Sequence, residues 1–217
     1  MKDTTEKLFL DFQKENGNLS PAFSELERAA ELLVSAYAAG KKLLVCGNGG
    51  SASDAEHIVG ELMKGFLKKR PLSLKEKEEI AKISQDDEEA HYLFRNLQGG
   101  LPAISLVSQG ALISAFANDV EPAMVYAQQV LVYGKSGDVL LGLSTSGNSE
   151  NVVNAAKIAK SRGMKVIGFT GAKDSRLREL SDVVIQSPYT ETYRVQEDHI
   201  KCYHLICAAV ENEFYEE

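Results

Sequence analysis

Short apolar runs recur along this chain, and stretches with helical periodicity separate them. The apolar runs span residues 43–46, 102–107, 138–143, 165–170 and 182–186. Strands that are apolar throughout and alternate with helices are typical of a parallel sheet buried on both faces. The pattern therefore predicts an α/β fold with three αβα layers, built on a five-stranded parallel, doubly wound sheet that is flavodoxin-like in outline.

The helical stretches lie before, between and after these runs. Apolar residues repeat at helical spacing over residues 4–14, 22–39, 111–117, 122–133, 150–161, 175–180 and 194–216, and a further helix follows the first run to about Lys69. Ser20 and Pro21 predict the start of the second helix, as cap and first helical residue. The N-terminal helices, within residues 1–40, either cover the same sheet or pack partly against another subunit.

Residues 72–100 form a charged segment with a weak apolar stripe, closed by Gly99 and Gly100. This composition predicts one or two surface helices inserted between the first helix of the sheet layer and the second strand. The insert is either a solvated addition or a lid or interface element over the nearby turn.

Composition narrows the class of protein. A chain of 217 residues can bury one good core, which favours a single domain over 1–217. The formal net charge of −7 argues against a nucleic acid or an anionic membrane as the main partner. We expect a cytoplasmic protein, because the N-terminus lacks a signal-peptide core and no run approaches the roughly 20 apolar residues of a membrane span.

A polar turn follows the first strand. Residues 48–51, named here the glycine turn, are Asn48, Gly49, Gly50 and Ser51. The turn precedes a helix, and the start of a helix at the carboxyl edge of an open sheet favours anions. His57 and Glu61 lie further along that helix, four residues apart on one face. From spacing alone they are a metal pair, an acid and a base, or a helix-surface pair.

A second polar turn follows the third strand. Residues 144–149, named here the serine turn, contain Ser144, Thr145, Ser146, Gly147 and Ser149. Hydroxyl groups, a glycine and free helix N–H groups suit a phosphate. The alternative interpretation is an ordinary loop in which Ser149 is the N-cap of the next helix. Neither a Walker sequence nor GxGxxG is present, which disfavours a nucleoside triphosphate.

The last helix carries further metal-ligand types, namely Gln196, Glu197, Asp198, His199 and His204. Gln196 and His204 are separated by about 12 Å of helical rise. Both reach one ion only if their side chains converge. Otherwise the helix bends, or different subunits each donate one ligand.

Several dispersed motifs resemble the sugar isomerase (SIS) domain family, and within it the phosphoheptose isomerases. The motifs are CGNGGSASDAEH, the Ala115 to Val130 stretch AxxNDxxxxxVYAxQV, GDVLLGLSTSGNS, GMKVIGFTG, and RVQEDH with His204 eight residues after Gln196. They occur in the family's order and cover nearly the whole chain except the insert.

This resemblance implies a homotetramer with active sites between subunits and a zinc ion held by His57, Glu61, Gln196 and His204. Glu61 and His204 would be the acid/base pair. It also implies a set of phosphosugar contacts, to which the glycine turn adds Ser51: Asn48, Gly49, Gly50, Asn118, Asp119, Ser144, Thr145, Ser146, Ser149 and Gln196.

The expected reaction is aldose–ketose isomerisation of a sugar phosphate through an enediol, with sedoheptulose 7-phosphate and D-glycero-D-manno-heptose 7-phosphate as the expected pair. A carboxylate, an imidazole and a metal suit that chemistry. Two alternatives stay open. One is a non-catalytic SIS module that binds a phosphosugar, and the other is an isomerase of a different ketose phosphate.

Overall fold

The computed structural model describes residues 1–216 and contains the predicted sheet. Its strands are β1 (Leu43–Cys46), β2 (Ala103–Ser105), β3 (Val139–Leu143), β4 (Lys165–Thr170) and β5 (Val183–Gln186). All neighbours are parallel, in the order β2-β1-β3-β4-β5, with Leu44 of β1 in register with Ile104 and Leu140. This is the doubly wound, flavodoxin-like order, so the predicted fold class is confirmed.

Helices cover both faces of the sheet. They are α1 (Asp3–Glu15), α2 (Phe23–Ala38), α3 (Gly50–Met63), α4 (Leu74–Ala81), α5 (Asp87–Asn96), α6 (Gly110–Asp119), α7 (Val125–Tyr133), α8 (Glu150–Ser161), α9 (Arg176–Leu180) and α10 (Thr192–Phe214). Short 3-10 helices, Gly17–Ala22 and Pro122–Met124, precede α2 and α7. Within residues 1–216, no helix is both long and apolar enough to span a bilayer.

Two apolar layers lie on opposite faces of the sheet. Side chains alternate along β1, so that Leu43 packs into one layer and Leu44 into the other. The first layer contains α1, α2, α3 and α10, and the second contains α6 to α9. Because α2 buries Leu26 and Leu33 in the first layer, the N-terminal helices do cover this sheet. Their packing against another subunit stays a prediction.

Two predicted helix ends are wrong. Ser20 and Pro21 lie in the 3-10 helix, and α2 begins only at Phe23. The helix after β1 was expected to reach about Lys69, but α3 ends at Met63. The backbone of Lys64 is extended, with φ −133° and ψ 175°, and directs the chain away from the helix axis.

The insert contains two helices, α4 and α5, in agreement with the prediction of one or two helices. Its exit is fixed at the C-terminal end of α3, where the N–H of Leu101 donates to the Leu62 carbonyl at 2.9 Å. The N–H of Gly65 also donates to Gln98 Oε1 at 2.8 Å. Since α3 is about 20 Å long, the insert is anchored at the end opposite to the glycine turn of its own chain.

Candidate active site

The glycine turn connects β1 to α3 at the carboxyl edge of the sheet. Gly49 has φ +56°, a conformation that favours glycine because it lacks a Cβ. The hydroxyl of Tyr126 donates to the Gly47 carbonyl at 2.7 Å and holds the turn from the opposite layer. The N–H groups of Ser51 and Ala52 donate to the carbonyls of Asn48 and Gly49 at 3.0 Å, so the turn is held tightly at the positive end of the α3 dipole. The local structure is therefore suited to bind an anion.

The serine turn connects β3 to α8 at the same edge. The hydroxyl of Ser144 donates to Ser149 Oγ at 3.0 Å, and Ser146 Oγ accepts from the Asn148 N–H at 3.2 Å. Gly147 adopts φ +64°, and a Cβ at that position would collide with Ser175 Oγ. Close packing and a positive φ therefore both require glycine here.

Side chains connect the two turns. The amides of Asn48 and Asn151, the latter on α8, exchange two hydrogen bonds of 2.9 Å. Gln196 of α10 lies beside the glycine turn, and a Cβ on Gly50 would be only 2.5 Å from Gln196 Nε2. The two turns and Gln196 therefore form one continuous polar surface.

Two predicted substrate contacts are not hydrogen-bonded to either turn in the described part of the chain. Asn118 and Asp119 are at the exposed end of α6, where the Asn118 amide donates to the Asp119 carboxylate at 2.8 Å. Across residues 1–216, no hydrogen bond joins them to either turn. Their part in binding a substrate stays a prediction.

The predicted acid and base lie together, deeper along α3. His57 Nε2 is 3.0 Å from Glu61 Oε1, and the rings of His57 and His204 are 4.9 Å apart between centroids. We name His57, Glu61 and His204 the acid–base cluster. Lys64 Nζ is 3.3 Å from the other oxygen of Glu61. Two imidazoles, one carboxylate and one ammonium group are thus within reach of a single small molecule.

Sequence reasoning missed Asp54 and Tyr203, which support this cluster. The Tyr203 hydroxyl is 2.9 Å from His57 Nδ1 and donates to Asp54 Oδ1 at 3.5 Å. Asp54 also accepts from Gln196 Nε2 at 3.2 Å. Asp54 lies three residues before His57, and therefore on the same helix face. That spacing was the available signal.

Burial changes the protonation of this region. Burial raises the pKa of the Asp54 carboxyl above its ordinary value, although hydrogen bonds from Gln196 and Tyr203 act in the opposite direction. Burial and the neighbouring His57 lower the pKa of His204, while Glu61 acts to raise it. The His204 imidazole is therefore neutral near pH 7, able to accept a proton from a hydroxyl group.

The donor set partly fits the predicted zinc ion. Imidazole nitrogen and carboxylate oxygen are zinc ligands, and the contact from Tyr203 to His57 Nδ1 leaves Nε2 for a metal. Gln196 lies beside this set and does not contact it directly, because its amide packs against Gly50 and donates to Asp54 at 3.2 Å. Among residues 1–216, no group of three or more His, Cys, Asp or Glu is arranged to hold a metal ion.

The turns and the acid–base cluster are well separated within one chain. Glu61 follows Gly50 by eleven residues along α3, which corresponds to about 16 Å of helical rise. An extended chain advances about 1.2 Å per bond, so a seven-carbon sugar phosphate spans about 10 Å between C1 and phosphorus. The helical rise between the glycine turn and Glu61 is therefore longer than one such molecule.

Comparison with known proteins gives consistent matches. A sequence profile described as the SIS domain matches residues 19–98 and 93–171, which include both turns. The chain is 36% identical over 193 residues to the phosphoheptose isomerase of Thermodesulfovibrio yellowstonii, covering 89% of this chain and 82% of that relative. It is 35% identical over 214 residues to the phosphoheptose isomerase of Aliarcobacter butzleri, covering 98% of each.

Solved structures agree with the sequence matches. The phosphoheptose isomerase of Neisseria gonorrhoeae superposes with a TM-score of 0.70 at 29% identity, covering 96% of this chain and 93% of that one. The similarity extends over nearly the whole chain, and therefore includes the helices that carry the acid–base cluster.

Proposed function

This chain belongs to the SIS domain family, and we propose that it is an aldose–ketose isomerase that converts sedoheptulose 7-phosphate to D-glycero-D-manno-heptose 7-phosphate. The observation that carries the proposal is the acid–base cluster, in which Glu61 lies 3.0 Å from His57 and His204 packs on the same imidazole. Relatives named phosphoheptose isomerase, at 35–36% identity, support the sugar phosphate as substrate.

The isomerisation removes a proton from C1 and adds one at C2. It also removes a proton from O1 and adds one at O2. The Glu61 carboxylate takes the proton from C1 of the ketose, the C1–H electrons form the C1=C2 bond, and the carbonyl oxygen gains a proton. Glu61, whose acquired proton exchanges with solvent, then delivers a proton to C2 at the expense of the C1=C2 bond, while the O1–H electrons form the aldehyde C1=O bond. His204, neutral near pH 7, is suited to exchange the proton at the substrate oxygens.

His57, Glu61 and His204 are the residues of one chain that offer ligand atoms to a zinc ion, and they would have to move closer together to hold it. Zinc would polarise the substrate oxygen at which charge develops. A carboxylate bound tightly to a metal is a weaker base, so ligation by Glu61 and proton transfer by Glu61 compete. The predicted fourth ligand, Gln196, would come from a different chain or would bind substrate instead.

We propose further that each active site combines two chains of a homotetramer. The rise of about 16 Å along α3 between the glycine turn and Glu61 supports this arrangement, because it exceeds the span of the substrate between C1 and phosphorus. A neighbouring subunit that presents its turns to this acid–base cluster would shorten that distance.

The direct test of the reaction is NMR of sedoheptulose 7-phosphate incubated with the purified protein. We expect the aldose to appear with the wild-type protein and not with Glu61→Gln. The matched control is Glu56→Gln, which changes an exposed carboxylate on the same helix and should retain turnover. Full activity of Glu61→Gln would remove Glu61 from the role of base.

The shared site is tested by mixing two inactive variants. Glu61→Gln lacks the base, and a double variant Ser144→Ala, Ser146→Ala lacks hydroxyls of the serine turn. If the site spans two chains, mixed oligomers contain some complete sites and regain turnover. Mixed oligomers detected by native mass spectrometry that stay inactive would contradict a shared site.

The same assay decides between the alternatives. A non-catalytic SIS module would bind the sugar phosphate in calorimetry without turnover. An isomerase of another ketose phosphate would leave sedoheptulose 7-phosphate unchanged and convert a different member of a substrate panel.

A further inference from the structure

A buried ion pair lies just beyond the acid–base cluster, outside the residues that the proposed reaction uses. Arg70 Nε donates to Glu211 Oε1 at 2.8 Å, and both side chains are almost completely inaccessible to solvent. We name this pair the clamp. A buried pair of this kind is weak evidence for stability, because desolvation offsets much of its attraction. The role of the clamp is therefore inferred from the groups that Arg70 and Glu211 contact.

Arg70 fixes the last turn of α3. Its Nη1 donates to the Leu62 carbonyl at 2.5 Å and its Nη2 to the Glu61 carbonyl at 3.0 Å. These carbonyls belong to the last four of the helix, which have no partner within it. A cation is also favourable at the negative end of the helix dipole. The guanidinium thus holds the backbone of the proposed base directly.

Glu211 fixes the segment that follows α3. Its carboxylate accepts from the N–H groups of Phe66 at 2.8 Å, Leu67 at 2.7 Å and Lys68 at 3.2 Å, in addition to Arg70. Burial raises the pKa of Glu211, but these N–H groups and Arg70 outweigh burial, so the pKa is lower than usual. The carboxylate is therefore ionised and fully hydrogen-bonded.

The held segment carries an aromatic ring onto the acid–base cluster. The Phe66 ring is stacked on the His204 imidazole, with centroids 5.6 Å apart and planes inclined by 30°. Tyr203 and His57 contact other sides of the same imidazole. Phe66 thus closes one side of His204, and its backbone position depends on Glu211.

We propose that Arg70 and Glu211 are positioning residues, which orient Glu61 through the end of α3 and His204 through Phe66. This inference rests on the proposed function, since it gives the clamp a role in the reaction of Glu61 and His204. A rigid placement of both groups matters, because displacements of about 1 Å lower turnover by up to about a hundredfold.

The test compares two isosteric amide variants of buried carboxylates. In Glu211→Gln, the amide nitrogen must face either the Phe66 and Arg70 donors or the Leu67 and Lys68 donors, so one pair loses its acceptor. The control is Asp138→Asn, which changes a buried carboxylate that accepts from the N–H groups of Lys42 and Lys135 at the amino edge of the sheet. Both variants should lower Tm.

Only Glu211→Gln should change catalysis. We expect its kcat for sedoheptulose 7-phosphate to fall about tenfold or more with KM within about threefold, while Asp138→Asn keeps its kcat. Phe66→Leu, which removes the stacked ring, should lower kcat more than Phe66→Tyr, which retains it.

A second measurement does not depend on turnover. The imidazole protons of His204, observed by NMR in the intact protein, should shift in Glu211→Gln and Phe66→Leu and not in Asp138→Asn. Unchanged His204 signals, or an unchanged kcat in folded Glu211→Gln, would overturn the positioning role. If the His204 signals shift in the variants but the wild-type protein converts no sugar phosphate, the proposed function is refuted, and with it the clamp's role in catalysis. The contact of the clamp with the acid–base cluster would then still be supported.

Discussion

Replacing Gly147 with alanine tests whether the serine turn binds the substrate phosphate. Gly147 has φ +64°, and a Cβ there would collide with Ser175 Oγ and lie 3.2 Å from Thr170 Cγ2. Ser175 cannot move away freely, because it is buried and its hydroxyl accepts from the Arg178 N–H at the start of α9. The strain must therefore move the serine turn itself.

The size of the effect follows from the backbone and the packing. The left-handed conformation costs alanine about 1–2 kcal/mol, and overpacking adds about 1–3 kcal/mol. Together they predict a loss of about 2–5 kcal/mol, or a fall in Tm of roughly 4–20 °C for a chain of this size. Loss of one hydrogen bond to a charged phosphate, worth about 1.5–3 kcal/mol, should raise KM by about tenfold or more.

Gly163→Ala is the matched control. Gly163 has φ +71°, and a Cβ there would be 2.9 Å from Ser136 Oγ, but this glycine follows the C-terminal end of α8, away from both turns. Thermal unfolding and steady-state kinetics of the two variants should show a lower Tm in both and a higher KM only in Gly147→Ala. An unchanged KM in Gly147→Ala, or an equal rise in both variants, would refute phosphate binding at the serine turn.

Two further predictions concern other parts of the chain. Tyr203→Phe removes the hydroxyl that contacts His57 Nδ1, so zinc affinity measured by chelator competition should fall about 10–100-fold; an equal affinity would separate Tyr203 from the proposed metal. Burial raises the pKa of Asp138, but Lys42 and Lys135 outweigh it and hold the pKa below its ordinary 3.8. The ionised carboxylate therefore stabilises the fold above that value and loses this effect as pH falls through its lower folded pKa. The Tm difference between wild type and Asp138→Asn should shrink in acid, and a constant difference would contradict this pKa.

The strands could be predicted from sequence because local pattern determines them. β4 and α8 have the predicted bounds, since an uninterrupted apolar run and a regular helical stripe each specify one element. The end of α3 could not be predicted in this way. The guanidinium that satisfies its last carbonyls comes from Arg70, and the carboxylate that holds the next segment comes from Glu211, far along the chain.

In the candidate site, too, contacts within one helix could be predicted from sequence, and contacts between helices could not. The spacing of His57 and Glu61 on one helix face predicted their contact, whereas the proximity of His204 depends on how α10 lies beside α3. The spacing of Asp54 places it on the same face of α3 as His57, whereas only the packing of α10 against α3 joins Tyr203 to both of them. Helix rise did indicate that Gln196 and His204 are too far apart to serve one ion easily.

The measurement that tests the proposed isomerase most directly is solvent deuterium incorporation. Sedoheptulose 7-phosphate is incubated with the protein in D₂O, and NMR follows the hydrogen at C2 of the aldose formed. If the proton held by Glu61 exchanges with D₂O before a proton is delivered to C2, the aldose formed carries deuterium at C2, and Glu61→Gln gives neither aldose nor exchange. Binding of the ketose without conversion or exchange at C1, or exchange that survives in Glu61→Gln, would contradict the account.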